Sequence, residues 1–148
     1  MSANKIFQIT NRNDSIGLLF QIDEKEVITA IDCDGRGKIW VGTTEGMGCY
    51  DIKAKRYYKI VSQLFSDIDA LRYDPSSERV WICAQNQLFS YCTKDEKFIQ
   101  WNRSDGFHPN EIIFTYQQRP KKNNPYLYFG GTEGLVAMIR SRVNYPLN

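Results

Sequence analysis

The sequence of 148 residues holds a single histidine. One imidazole cannot build a histidine-rich metal centre, and nothing in the sequence pairs His108 with a second reactive group. There is no Gly-x-Ser-x-Gly elbow and no glycine-rich phosphate loop. No enzymatic activity, metal or cofactor is therefore expected of this segment. Long apolar runs are also missing: none approaches the ~18 residues that a membrane helix needs. The opening MSANKIFQ has no apolar signal core, so an exported parent is expected to carry its leader outside this sequence. Charge of one sign is lacking. The 19 Lys and Arg stand against 17 Asp and Glu, for a net charge of +2. Basic residues are scattered, with only short runs such as Lys121-Lys122, which gives no electrostatic case for nucleic acid or an anionic membrane. The four cysteines have no metal-ligand spacing. Cys33, Cys49 and Cys83 fall inside expected strands and Cys92 at the end of one, where they read as reduced, buried small hydrophobes. No amphipathic helical pattern of useful length is present.

What is present is a repeat. The chain is 42% hydrophobic and 14% aromatic, a composition that suits a β-rich folded domain and not a disordered chain. In GKIWVGTTEGMGCYD, Gly37 to Asp51, Trp40 is followed at fixed offsets by Gly42, Thr44, Glu45, Gly46, Met47 and Tyr50. The pattern returns after 41 residues at Trp81, in RVWICAQNQLFSY, and after another 47 at Tyr128, in YLYFGGTEGLVAM. Gly42, Cys83 and Gly130 correspond; so do Glu45, Asn86 and Glu133, and Met47, Leu88 and Leu135. A period of about 40–45 residues with short strands marks propeller blades. Within each copy the first strand is apolar on both sides: Ile39 and Val41 against Trp40, Val80 and Ile82 against Trp81, Leu127 and Phe129 against Tyr128. A strand of that kind is covered on both faces. Gly46 and Gly134 supply the permissive backbone of the turn that follows.

The fold class is therefore all-β: a β-propeller fragment of about three four-stranded antiparallel blades plus one leading strand. The blades are expected at about 27–61, 67–102 and 110–147. Strands fall near 27–34, 38–43, 46–51 and 56–61, then 67–73, 79–84, 87–92 and 97–102, then 110–117, 126–131 and 134–139. A fourth strand of the last blade, at 143–147, is weakened by Pro146. Lys5 to Thr10 alternates like the outer strand of a preceding or closing blade. Ile16 to Glu26 reads as a long connection with a short strand at Gly17 to Ile22. The turns after the first strand of each unit vary in length but are dense in Asp, Asn, Ser, Gly and Pro, as hairpin loops are.

Three features together resemble the regulator-propeller repeat of hybrid two-component regulators. They are the Ile-Thr-Ala-Ile strand, the Asp-x-Asp-Gly-x-Gly turn, and Ile-Trp-Val-Gly-Thr-x-x-Gly-Met with its aromatic-Asp ending. The third copy, Leu-Tyr-Phe-Gly-Gly-Thr-Glu-Gly-Leu, is similar to the variant that ends such propellers. The second departs, with Cys83, Ala84 and Gln87 in place of the glycine, the threonine and the turn glycine. The resemblance covers roughly Val27 to Val143. It implies a periplasmic location on the outer side of the inner membrane, a membrane-anchored histidine kinase parent and phosphorelay control of glycan-utilisation genes. It also implies a mono- or oligosaccharide as the signal.

Recurrent Trp40, Trp81 and Tyr128, with Gly42, Gly130, Gly46 and Gly134, are expected to be structural anchors. The ligand candidates are the polar turn residues Thr44, Glu45, Gln85, Asn86, Thr132 and Glu133. In a propeller the turn between the second and third strands opens on the same face as the connection leading into each blade, and ligands usually sit on that face. Amide and carboxylate groups there suit sugar hydroxyls. The alternative is that these are simply exposed turn residues. Arg103 and His108, in the connection 103–110, reach the same face and join the candidates. The rival functional readings are a dimerisation scaffold without a ligand, and a propeller lyase. A homodimer is expected, because three blades leave apolar faces bare. It would form by exchange of Lys5–Thr10 or by face stacking.

Overall fold

The computed structural model describes residues 4–10, 15–60, 64–85, 87–101, 112–115, 126–131 and 134–139. Among the described residues every regular element is a strand, and the strands form four antiparallel sheets. The first sheet pairs β1 (Lys5–Thr10) with β2 (Ser15–Gln21). The second runs in order through β3 (Ile28–Cys33), β4 (Lys38–Thr43), β5 (Met47–Asp51) and β6 (Arg56–Ile60). The third does the same with β7 (Ile68–Asp74), β8 (Arg79–Ala84), β9 (Gln87–Cys92) and β10 (Lys97–Trp101). The fourth holds β11 (Ile112–Thr115), β12 (Tyr126–Gly131) and β13 (Gly134–Ile139). The expected strand at 143–147 lies outside the described residues. The chain divides into two compact units, Met1–Ile68 and Asp69–Asn148.

Register carries the repeat into three dimensions. Trp40 faces Cys49 across β4 and β5, Trp81 faces Ser90 across β8 and β9, and Tyr128 faces Ala137 across β12 and β13. In the first two blades the large aromatic is thus set against a small residue, which leaves room for the ring in the paired row. Trp40 and Trp81 are buried, and every residue of β8 is. That is the doubly covered strand expected from its unbroken apolar run. A further shared feature is a bulge in the first strand pair of two blades. It falls between Ile28 and Ala30 in one and between Ile112 and Phe114 in the other.

In the first unit the hairpin β1–β2 packs on the second sheet. Phe20 and Ile22 join Ile39, Val41 and Tyr50 in one buried cluster, with Ile6, Leu19, Ile28 and Tyr57 against it. The Phe20 ring stacks on Tyr50 with centroids 4.2 Å apart. Ile22 N–H donates to Asn4 O at 2.9 Å and the Asn4 amide returns to Ile22 O at 3.2 Å. β1 is therefore one of a pair and not a lone leading strand. Leu18-Leu19-Phe20 is an unbroken apolar run, whose period does not separate a strand from a buried connection.

At the far ends of the strands, aspartates fold the turns. Asp34 Oδ1 accepts N–H bonds from Arg36 at 2.7 Å and Lys38 at 3.0 Å, and Asp51 Oδ1 accepts from Lys53 and Ala54 at 3.0 and 3.1 Å. These carboxylates replace backbone partners that a tight turn cannot supply. One cysteine departs from expectation. Cys49 and Cys83 are buried and Cys92 half-buried, but Cys33 is exposed. It closes β3 beside the Asp34 turn, where the chain leaves the sheet.

Candidate functional site

The candidate face is built where the connection into a blade meets the turn between its second and third strands. In the first blade that turn runs from Thr43 to Gly46. Gly46 adopts φ 143°, a conformation that side chains rarely permit. Thr43 N–H donates to Gly46 O at 2.8 Å. The Thr43 hydroxyl, fully buried, accepts the N–H groups of Glu45 and Gly46, both at 3.1 Å. Its one proton has two acceptors in reach, Gly46 O at 3.1 Å and Glu26 Oε1 at 3.5 Å.

Thr44 ties this turn to the connections on either side. Its N–H donates to Val27 O at 3.0 Å, its hydroxyl accepts Val27 N–H at 3.2 Å, and its carbonyl accepts Asp67 N–H at 3.0 Å. The turn and the inbound connection thus share one face in this blade, as the sequence argument requires. The same bonds commit the polar groups of Thr44 to the fold. Glu45 is different: it is exposed, and its carboxylate has no partner among the described residues.

Beneath the turn lies a carboxylate that the sequence reading did not single out. Glu26 is 4% exposed, and its Oε2 pairs with Lys59 Nζ at 3.3 Å across to β6. A carboxylate so enclosed requires a charged partner. Burial, followed by the charge of Glu26, pushes the Tyr57 hydroxyl up to about 12. Thr43 is the threonine of the Ile-Trp-Val-Gly-Thr motif, though the candidate singled out in this turn was Thr44; nothing in the sequence pointed to Glu26 or Lys59. The second repeat carries Ser66 and Gln100 at the corresponding places, so the pair leaves no trace in the periodicity.

The second blade makes its turn without glycine. Ala84 pairs with Gln87, and Gln85 takes the left-handed conformation, φ 51°, two positions before the place Gly46 holds in the first blade. Gln85 is exposed. Asn86, Arg103, His108, Thr132 and Glu133 lie outside the described residues. Gly134 opens β13 and pairs with Gly131, and Gly130 faces Leu135. Gly42 faces Met47, and a Cβ there would come within 2.6 Å of Ile68 Cγ2. Among the described residues no three His, Cys, Asp or Glu side chains gather as metal ligands would.

No family model matches the chain, and no curated protein does. Solved structures do. The chain is similar to the extracellular domain of a putative hybrid two-component system from B. thetaiotaomicron. The TM-score is 0.72 at 21% identity, over 96% of this chain and 18% of that one. A second such domain from the same organism aligns with a TM-score of 0.71 at 21% identity, over 98% of this chain and 20% of that one. A β-propeller domain from Myceliophteria thermophila aligns with a TM-score of 0.55 at 16% identity, over 95% of this chain and 50% of that one. These likenesses show the fold, a run of β-propeller blades of the kind the regulator-propeller resemblance implied. The chain spans about a fifth of the length of the two-component extracellular domains.

Proposed function

We propose that this chain is part of the extracytoplasmic sensing propeller of a hybrid two-component regulator, and that its turn face helps to bind a carbohydrate signal. The observation that carries this reading is the fold shared along 96–98% of the chain with extracellular domains of two such systems. In this reading the segment has no chemistry of its own. It lies on the periplasmic side, and a membrane-anchored histidine kinase parent passes the signal by phosphorelay to glycan-utilisation genes. Glu45 is the residue of the first blade that fits a ligand role, as an exposed carboxylate able to accept from paired sugar hydroxyls.

A scaffold without a ligand is the second reading, and Thr44 favours it, because its polar groups are all spent within the fold. Calorimetric titration with a panel of mono- and oligosaccharides separates the two. The sensing reading expects one glycan class to bind, and Glu45→Ala to weaken it at least tenfold while leaving the thermal unfolding midpoint unchanged. Binding that survives Glu45→Ala undiminished removes Glu45 from the site. The absence of binding by any glycan, with the chain folded, favours the scaffold.

A further inference from the structure

The hairpin β1–β2 is built like the outer half of a blade. The pairs Thr10–Ser15, Asp51–Arg56 and Cys92–Lys97 each leave four residues between the paired ends of two strands. Three residues in from those ends, Phe7 faces Leu18 as Gly48 faces Lys59 and Phe89 faces Gln100. The chain beyond also runs in step: β2 is followed after six residues by β3, as β6 is after seven by β7. β1 and β2 therefore hold the third and fourth places of a blade, and β2, not β1, is the outermost strand.

The third strand of a complete sheet has two neighbours. β5 lies between β4 and β6, and β9 between β8 and β10. Among the described strands β1 has β2 alone. Its other edge carries backbone groups with no ladder to join, and a sheet of two strands is marginal by itself in water. The side chains show the same gap. Phe7 and Phe89 hold equivalent places, yet Phe7 is 56% exposed and Phe89 0%. In the complete sheets the second strand sets an apolar residue beside that place: Ile82 faces Phe89 and Val41 faces Gly48. The absent neighbour of β1 is thus a second strand, with a β-branched apolar residue opposite Phe7. This chain has none to spare, because β4, β8 and β12 each already lie between two partners. A second copy holds the same strands in the same sheets and can lend none without dismantling a blade. Further chain can: this chain spans only 18% and 20% of the two extracellular domains whose fold it shares.

We infer that β1–β2 is the outer half of a further blade, and that its inner half is a two-stranded hairpin of the same repeat, supplied by further chain of a longer protein and added along the free edge of β1. Main-chain bonds to β1 give the contact its register, and the apolar residue opposite Phe7 gives it selectivity, as in other cases of strand addition. The inference rests on the reading of this chain as part of a longer propeller. It does not depend on a carbohydrate ligand.

Residue-resolved hydrogen exchange on this chain and on the product of the whole encoding gene tests this without any variant. In the 148-residue chain the amides of residues 5–10 that do not bond to β2 are expected to exchange unprotected. In the whole product they are expected to slow by roughly tenfold or more. Phe7→Cys adds a side-chain readout: a thiol reagent is expected to modify it roughly tenfold more slowly in the whole product than in the 148-residue chain. Ile52→Cys, at an exposed turn position, is expected to react alike in both. Neither readout uses a glycan, so the inference can fail while carbohydrate binding holds, and the reverse. It is overturned by a gene that encodes no further blade, by β1 amides no better protected in the whole product, or by Phe7→Cys equally reactive in both. Protection of residues 5–10 that rises with the concentration of the 148-residue chain would put a second copy on the edge and overturn it as well.

Discussion

Gly42 is the repeat anchor whose cost can be worked from distances. A methyl group there would lie 2.6 Å from Ile68 Cγ2, 3.1 Å from Ile68 Cβ and 3.5 Å from Ala30 Cβ. Carbon atoms prefer about 3.5–4.0 Å, so Ile68 must retreat or the strand must. Neither moves freely. Ile68 is 1% exposed, its carbonyl accepts the Thr29 hydroxyl at 2.5 Å, and its neighbour Asp67 is held by Thr44 O at 3.0 Å. Gly42→Ala is therefore expected to cost about 1–3 kcal/mol by overpacking, partly offset by roughly 0.5–1 kcal/mol from removing a strand glycine. Ile68→Ala alone empties a buried site and is expected to cost about 2–5 kcal/mol. The two changes relieve each other, because the second removes the methyl that the first meets. The double variant should thus be less destabilised than the summed singles, by roughly 1–2 kcal/mol. Urea titrations followed by tryptophan fluorescence give all three values with one slope. Additivity within about 0.5 kcal/mol would refute the argument, and so would a Gly42→Ala protein as stable as wild type.

Two further outcomes follow from the buried polar groups. Burial, and then the charge of Asp69, pushes the Cys83 thiol up to about 12, and burial also raises Cys49. Labelling with a thiol reagent at pH 8 should therefore modify exposed Cys33 first and reach Cys49 and Cys83 only on unfolding; rapid native labelling of Cys83 would contradict its packing. The Tyr57 hydroxyl has its pKa raised from 10.0 to about 12. The folded state therefore favours the protonated phenol, and the associated stability is complete below pH 10 and lost as pH rises from about 10 to about 12. Alkaline denaturation should be less steep in Tyr57→Phe over that window, with phenolate absorbance reporting the ionisation; identical profiles would remove Tyr57 as a contributor.

The blades were legible because their anchors are types that a strand cannot easily exchange. Large aromatics, Trp40, Trp81 and Tyr128, recur at fixed offsets, with a glycine two residues on in the first and third copies and Cys83 in the second, and the strand pairs then follow with little freedom. The hairpin partner of β1 was less legible, since an unbroken apolar run carries no period. The second blade's turn was visible as a departure, Gln87 for glycine. Its solution was not, because transferring the left-handed residue to Gln85 depends on the two-residue closure between Ala84 and Gln87.

At the candidate site the gap between sequence and structure has a different cause. Composition reports that a turn residue is polar, but not whether its polarity is available. Thr44 and Glu45 are neighbours, and both looked like ligand groups. A threonine is short, with its hydroxyl on the branched carbon, so it is drawn into the backbone network that joins Val27 to Asp67. A glutamate carries its carboxylate oxygens two bonds further out, beyond reach of that network, and Glu45 stays exposed. Glu26 shows the converse: enclosed below the turn, it spends its charge on Lys59, 33 positions along the chain and outside the repeated pattern. Of the polar groups that this blade brings to its turn, side-chain length and depth decide which serve the fold. By that criterion the exposed carboxylate of Glu45 is the group on which the proposed ligand role rests.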